Sequence, residues 1–359
     1  MGVAATRNLE AMMKKLLIAL VALLALVAIY LVARPGRESA PPAQGTLRVA
    51  LSPYQDLAMI VNAKPLGLEK RYGTNLELVT LGWEDILPSV ASAGRGVDVG
   101  FGSYAEYLTK FNNINSAGAD PVLFIYPLYV FKGGAFVTFR PDVPKLTQQG
   151  LADREAVSRL LSLKIGAQRK SVYEMMLYEL AARNGIPASQ VKPFDTPLDQ
   201  GFLAAQQGSL DLASAGLTQL TETQRRNGHV VFTMDDLRFA DFTGLIVKKS
   251  VYDAHRKDIA NLIRMWFDCV DYVYRDIDHN SANSLAYLNR QASTHYTLDE
   301  YKKALSQEYL PRTLAESQFQ FIDRNGRYPV SVIKPALLRY LQTQNVAVNS
   351  SRVADFITP

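Results

Sequence analysis

A single cysteine, Cys269, stands among 359 residues, which rules out an intramolecular disulfide and any multi-cysteine zinc or iron–sulfur site. Histidine is nearly as scarce. His229, His255, His279 and His295 are scattered, with no HExxH pair, and both the nucleophile elbow GxSxG and the phosphate loop GxxxxGKS/T are missing. The formal charge of +5 is concentrated at the start, where residues 1–45 hold five Lys/Arg against two Asp/Glu. The remaining +2 leaves no basic face of the kind nucleic acid needs. What is present is an ordinary globular balance, 48% hydrophobic and 20% charged, in a chain long enough for one or two cores. Cys269 falls in DIANLIRMWFDCVDYV, where Leu262, Trp266, Cys269 and Val273 recur at helical spacing, so it reads as a buried core thiol.

Leu16 to Ala33 is an unbroken run of 18 apolar or Tyr residues behind Lys14 and Lys15, long enough to span hydrocarbon and longer than a usual signal-peptide core. Leu31-Val32-Ala33 puts leucine where a cleavage site wants a small residue, and no cysteine is there for lipidation. The run therefore reads as an uncleaved anchor, although a signal peptide would equally send the rest across a membrane. Residues 1–15 are then cytoplasmic, 16–33 the anchor, and 34–45, rich in Pro, Gly, Ser and Ala, a flexible tether. The flanking charges favour N-in only weakly, and Met13 offers a second start directly ahead of the two lysines.

The body of the chain contains a pseudo-repeat. LRVALSPYQDLAMIVNAKPLGLEKRYGTNLELVTLGWEDILPSVASAGRGVDVGFGSY and LKIGAQRKSVYEMMLYELAARNGIPASQVKPFDTPLDQGFLAAQQGSLDLASAGLT run in parallel: strand, polar turn, helix, glycine, strand, turn, short helix, then Asp and a strand. Such alternation signals βαβ units on parallel sheets, hence two α/β lobes. Strands are expected at residues 47–51, 75–81 and 97–101 in the first, and at 163–167, 191–194 and 210–213 in the second. GGAFVTFR and FTGLIVKKS are β-rich and would carry the chain between lobes and back. From about residue 252 the pattern is helical.

The turns after these strands share a chemistry. Ser52-Pro53-Tyr54-Gln55, Ser103-Tyr104-Ala105-Glu106 and Ser171-Val172-Tyr173-Glu174 each set a hydroxyl three residues before Glu or Gln, the pattern of a capping box, and Pro53 sits where a first helical residue would. Thr196-Pro197-Leu198-Asp199 is a looser version. Helices are thus expected to start at the carboxyl ends of strands, the edge where open α/β sheets bind ligands because helix N-termini offer unpaired N–H groups. Taken singly, Ser52, Ser103 and Ser171 read as ordinary caps. Their recurrence in both halves points to a shared cleft.

On these segments, and on AAQQGSLDLASAG, the sequence resembles the sulfonate, nitrate, taurine and thiamine-pyrimidine binding group of periplasmic binding proteins (SsuA/THI5-like, NMT1-like) over roughly residues 46–345. The resemblance implies a type II periplasmic-binding-protein fold: two α/β lobes joined by two crossing strands, preceded here by the N-terminal transmembrane helix. Lobe one would be 46–135 with 240–359, and lobe two 136–239. It implies capture of a small organic anion or zwitterion, sulfonate- or taurine-like, between hinged lobes, and delivery to the permease and ATPase subunits of an ABC importer at the extracytoplasmic face of the membrane. The chain would act as a monomer, with no metal, no cofactor, no nucleic-acid partner and no chemistry on the solute. Pocket positions in this group follow the strands, which selects Ser52 and Tyr54, Trp83, Ser103 and Tyr104 from lobe one. Lobe two supplies Gln168, Arg169, Ser171 and Gly216, and the return crossing Asp241 and Thr243.

Among these, the aromatics would wall an apolar or cationic part of the ligand. Arg169 would pair with an anionic head group, and Asp241 in FADFTG would receive an ammonium. Each has a plainer reading: a half-buried aromatic for Trp83, a solvated charge for Arg169, a cap or turn aspartate for Asp241. Two rival functions share the fold. One is a membrane-tethered sensor, for which the tyrosine-rich stretch from Tyr272 to Tyr309 would be a partner surface. The other is a thiamine-pyrimidine-related binding protein or enzyme, whose cysteine-rich motif this chain lacks.

Overall fold

The computed structural model describes residues 45–92, 96–116 and 120–343, with Val346, Val348, Val353, Phe356 and Ile357. The anchor expected at 16–33 and its tether lie outside them. Among the described residues no helix is long and apolar enough to cross a membrane.

Two five-stranded sheets carry the molecule. In the first, β1 (Thr46–Leu51), β2 (Asn75–Thr80) and β3 (Val99–Ser103) are parallel, in the order β2-β1-β3. β4 (Val122–Phe131) lies at the far edge of this sheet and is reached through an antiparallel return strand, β10 (Asp241–Lys248). The second sheet repeats the plan. β5 (Ala135–Thr138) runs antiparallel to its neighbours, beside a parallel trio formed by β6 (Ile165–Ala167), β7 (Phe194–Asp195) and β8 (Leu212–Ala215) in the order β7-β6-β8. β9 (His229–Thr233) closes the edge against β5. The chain leaves the first sheet between Phe131 and Ala135 and returns between Thr233 and Asp241.

The sequence repeat is realised bond for bond at one place. Asp98 accepts from the backbone N–H of Arg48, and its own N–H donates to the Arg48 carbonyl. Asp211 makes the same pair with Lys164. Each aspartate therefore pins the start of a third parallel strand to the start of the first, in both halves.

Strand positions differ from the sequence expectation in two informative ways. β3 and β8 are shifted about two residues later, so that Ser103 ends β3 and Gly216 directly follows β8. β7 begins only at Phe194, where 191–194 was expected, because Pro193 has no N–H to give a ladder.

Each sheet has its own core. In the first, helix Arg256–Arg275 buries Trp266 completely against Phe101 and Tyr129, with ring centroids 5.4 and 5.9 Å away. Cys269 lies one turn along, fully buried, its thiol pushed well up by desolvation. In the second, Phe136 and Phe232 stack at 5.1 Å. Burying such rings contributes about 2–3 kcal/mol each.

Candidate functional site

The carboxyl ends of all six parallel strands open on one cavity between the sheets. Tyr54 follows β1, Trp83 and Glu84 follow β2, and Ser103 ends β3; Gln168, Ser171 and Val172 follow β6, Leu198 follows β7, and Gly216 follows β8. Tyr129 and Phe131 from β4, Asp241 and Thr243 from β10, and Asp56, Glu106, Tyr173 and Leu217 complete the lining. The enclosed space is about 60 Å³, room for roughly four to six waters or a comparably compact solute.

The first half brings carboxyls. Asp241 opens β10 with its side chain directed at the helix Tyr104–Ile114, accepting from Ser103 Oγ and from the N–H groups of Ala105 and Phe242, the latter two at 2.9 and 2.8 Å. Ser103 Oγ in turn accepts from the Glu106 N–H. The open end of this helix is thus filled by an internal carboxylate and a hydroxyl. Complete burial pushes the Asp241 carboxyl up to about 7 in spite of those three donors, with Glu106 adding to the rise. Glu106 holds the indole N–H of Trp83 at 3.1 Å and pairs with Lys110 at 2.5 Å. Asp56 takes the Tyr129 hydroxyl and caps the short helix Leu57–Asn62 through the Leu57 N–H, and its carboxyl is likewise raised by burial. Glu84 is half-buried and makes no hydrogen bond or ion pair with the described residues.

The second half brings helix starts without carboxyls. Helix Val172–Arg183 has no side-chain cap, because Ser171 Oγ donates backwards to the Gln168 carbonyl. Helix Leu198–Gln206, entered through Pro197, is uncapped too. At Gly216, which opens helix Leu217–Arg225, Gln219 Oε1 takes the glycine N–H at 3.0 Å. A Cβ on Gly216 would stand 3.1 Å from the Tyr173 hydroxyl, so the missing side chain leaves that hydroxyl open to the cavity. Burial raises the Tyr173 phenol strongly, and Glu308, Asp56, Glu84 and Glu106 push it the same way.

Eight of the residues singled out from sequence line the cavity: Tyr54, Trp83, Ser103, Gln168, Ser171, Gly216, Asp241 and Thr243. Three do not. Ser52 is buried and donates to the Leu81 carbonyl, tying β1 to the end of β2 rather than capping a helix. No helix begins at Pro53, and Gln55 is buried, accepting from Thr218 of the second half at 3.1 Å. Tyr104 points the other way along its helix, into a core with Phe124 and Phe356. Arg169 is exposed, its backbone N–H bound to Asp195. Sequence reasoning missed Asp56, Glu84, Glu106, Tyr129 and Tyr173. Glu84 adjoins Trp83, and Glu106 and Tyr173 lie in the flagged turns, so proximity was their one signal; Tyr129 comes from the middle of a strand and had none.

The halves also touch through polar side chains outside the cavity lining. Arg225 pairs with Glu300 at 2.5 Å, and Lys303 reaches Gln224 at 2.8 Å. Among the described residues no group of three or more His, Cys, Asp or Glu is placed to hold a metal ion.

No protein-family model and no curated protein matches the sequence. Solved structures do. The alkanesulfonate-binding protein SsuA from Xanthomonas axonopodis pv. citri, bound to MOPS, superimposes with a TM-score of 0.61 at 14% identity, over 86% of this chain and 96% of that one. The fold is that of a periplasmic binding protein. The aliphatic sulphonate binding protein SsuA from Escherichia coli gives 0.58 at 15% identity, over 85% and 94% of the two chains. The nitrate-binding protein NrtA from Synechocystis PCC 6803 gives 0.55 at 14%, over 78% and 71%. These belong to the periplasmic-binding-protein group the sequence resembles, and the paired sheets and interposed cavity are the features of that fold that matter for function.

Proposed function

We propose that this chain is the extracytoplasmic solute-binding component of an ABC importer, holding a small zwitterion or organic anion of the sulfonate or taurine kind between two hinged jaws. Residues 46–135 with 240–359 form one jaw and 136–239 the other. The 16–33 segment anchors the protein to the membrane, and a permease with its ATPase receives the solute. No chemistry is done on the solute.

The observation that carries this reading is the convergence of six parallel strand ends, three from each sheet, on one cavity. Ligands bind in open α/β sheets at that edge, and two such edges face to face allow hinge closure to enclose a small molecule. Tyr54, Trp83, Ser103, Gln168, Ser171, Gly216, Asp241 and Thr243 are the contacts assigned to the solute. A zwitterion suits the cavity better than a simple anion: three helix starts without side-chain caps lie on one side and four carboxyls on the other.

Calorimetric titration of the full chain in detergent with sulfonates, taurine, nitrate, carboxylates and pyrimidines tests this, together with the change in radius of gyration by X-ray scattering. A ligand present at a hundred times its dissociation constant adds about 2.7 kcal/mol of stability. Binding accompanied by compaction is expected for at least one class. Failure of every compound to bind, or binding without any domain closure, would count against the importer role.

A further inference from the structure

The cavity has an unbalanced charge. Asp56, Glu84, Glu106 and Asp241 line it, and no lysine or arginine does among the described residues. Lys110 answers Glu106, and backbone or hydroxyl donors answer Asp241 and Asp56. Glu84 alone is left without a partner. Beside it the Tyr54 and Trp83 rings pack at 5.9 Å and 36°, and both line the cavity. Opposite, Tyr173 is 8% exposed, and its hydroxyl has no hydrogen-bond partner among the described residues while lining the cavity. Polar groups without protein partners, facing a cavity from both sides, are free to bind a ligand placed between them. On the acidic side the start of helix Tyr104–Ile114 is filled by Asp241 and Ser103 and that of Leu57–Asn62 by Asp56, while helix Trp83–Ala91, which begins at Gly82 without a side-chain cap, carries Glu84 in its first turn, where it opposes a sulfonate or carboxylate.

We infer that the solute carries a cationic nitrogen, seated against the Tyr54 and Trp83 rings with Glu84 as its counter-ion, while its other end meets the Tyr173 hydroxyl and the start of helix Val172–Arg183. This rests on the solute-binding role proposed above and narrows the ligand: compact amines, quaternary ammonium compounds and amino acids or aminosulfonates qualify, and anions without nitrogen do not. Aromatic faces and an unpaired carboxylate together select a cation. A bare anion would have to enter against unanswered like charge with no basic side chain to offset it.

Matched pairs that differ only at the nitrogen test the assignment in titrations of the full chain: taurine against isethionate, β-alanine against propionate, choline against 3,3-dimethylbutanol. The expected result is binding confined to nitrogen-bearing members. Glu84→Gln should weaken it by at least about tenfold, whereas the neighbouring, exposed Asp85→Asn leaves it unchanged. Equal or tighter binding of any nitrogen-free member overturns the inference, as does unaltered affinity in Glu84→Gln, or silence from every cationic member up to about 10 mM. An anion that binds and compacts the protein overturns the cation assignment alone and leaves the importer role standing. Loss of the importer role is read separately, from the absence of compaction with any ligand.

Discussion

Helices Tyr104–Ile114 and Val172–Arg183, which meet the cavity from its two sides behind the equivalent serines Ser103 and Ser171, treat the same structural problem, an open N-terminus, in opposite ways. On the first side the Tyr104–Ile114 helix is closed by Ser103 and by Asp241, a residue 138 positions away in sequence from Ser103. On the second side Ser171 turns its hydroxyl back on Gln168, and Pro197 and Gly216 have no side chain to cap with, so three helix starts lack such a cap. The tyrosines repeat the contrast. Tyr129 gives its hydroxyl to Asp56, whereas the Tyr173 hydroxyl is unmatched within the described chain. The first side is acidic and fills the Tyr104–Ile114 start from within, leaving Glu84 unpaired; the second puts no charged side chain on the cavity and has no N-cap side chain at its three helix starts.

Measurements that separate the two sides can break this comparison, and the largest effect should come from Asp241. Asp241→Ala strands Ser103 Oγ and two backbone N–H groups in a buried site. A loss of about 2–4 kcal/mol in urea unfolding is expected, and a loss under 1 kcal/mol would show that water answers those donors.

The tyrosines give the sharpest contrast. Tyr129→Phe removes a donor to a buried carboxyl and should cost about 1.5–3 kcal/mol, while Tyr173→Phe removes a hydroxyl without a partner and should be neutral or stabilising without ligand. Equal losses in both variants would erase the asymmetry.

Acidity offers a third handle. The Asp241 carboxyl is raised to about 7 in the fold, above its unfolded value near 3.9, so between those limits the native state binds more protons than the unfolded one. Its contribution to stability therefore falls as pH rises from about 4 to 7, by at most about 1.4 kcal/mol per pH unit. Asp241→Asn should flatten that slope in unfolding curves collected across the window.

The smallest effect is expected outside the cavity lining. Arg225 and Glu300 pair while each remains about a third exposed, so Arg225→Ala should cost no more than about 1 kcal/mol and should show chiefly as easier opening by X-ray scattering.

Much of the fold was legible in the sequence because its signals are local. Alternating short apolar runs and helical segments announce βαβ units, and Asp98 and Asp211 mark equivalent places in the repeat that the structure joins to Arg48 and Lys164 by equivalent bonds. The turns at Ser103 and Ser171 do start helices. At Ser52 the same pattern failed, because its hydroxyl found the Leu81 carbonyl on the neighbouring strand and Gln55 found the opposite half. Propensity cannot weigh a local cap against a partner brought close only by folding.

Local pattern in the sequence specified the architecture: two parallel-sheet halves of nearly equal length, crossing segments between them, and helix starts at strand ends. The charge of the cavity was decided by tertiary structure alone. Arg169, next to a strand end, was turned out to solvent, and Asp56, Glu84, Glu106 and Asp241, scattered over some 185 residues, were brought to one side. Which side chain of a turn faces inward depends on strand twist and on what the opposing half presents, and neither is written in the spacing of one segment.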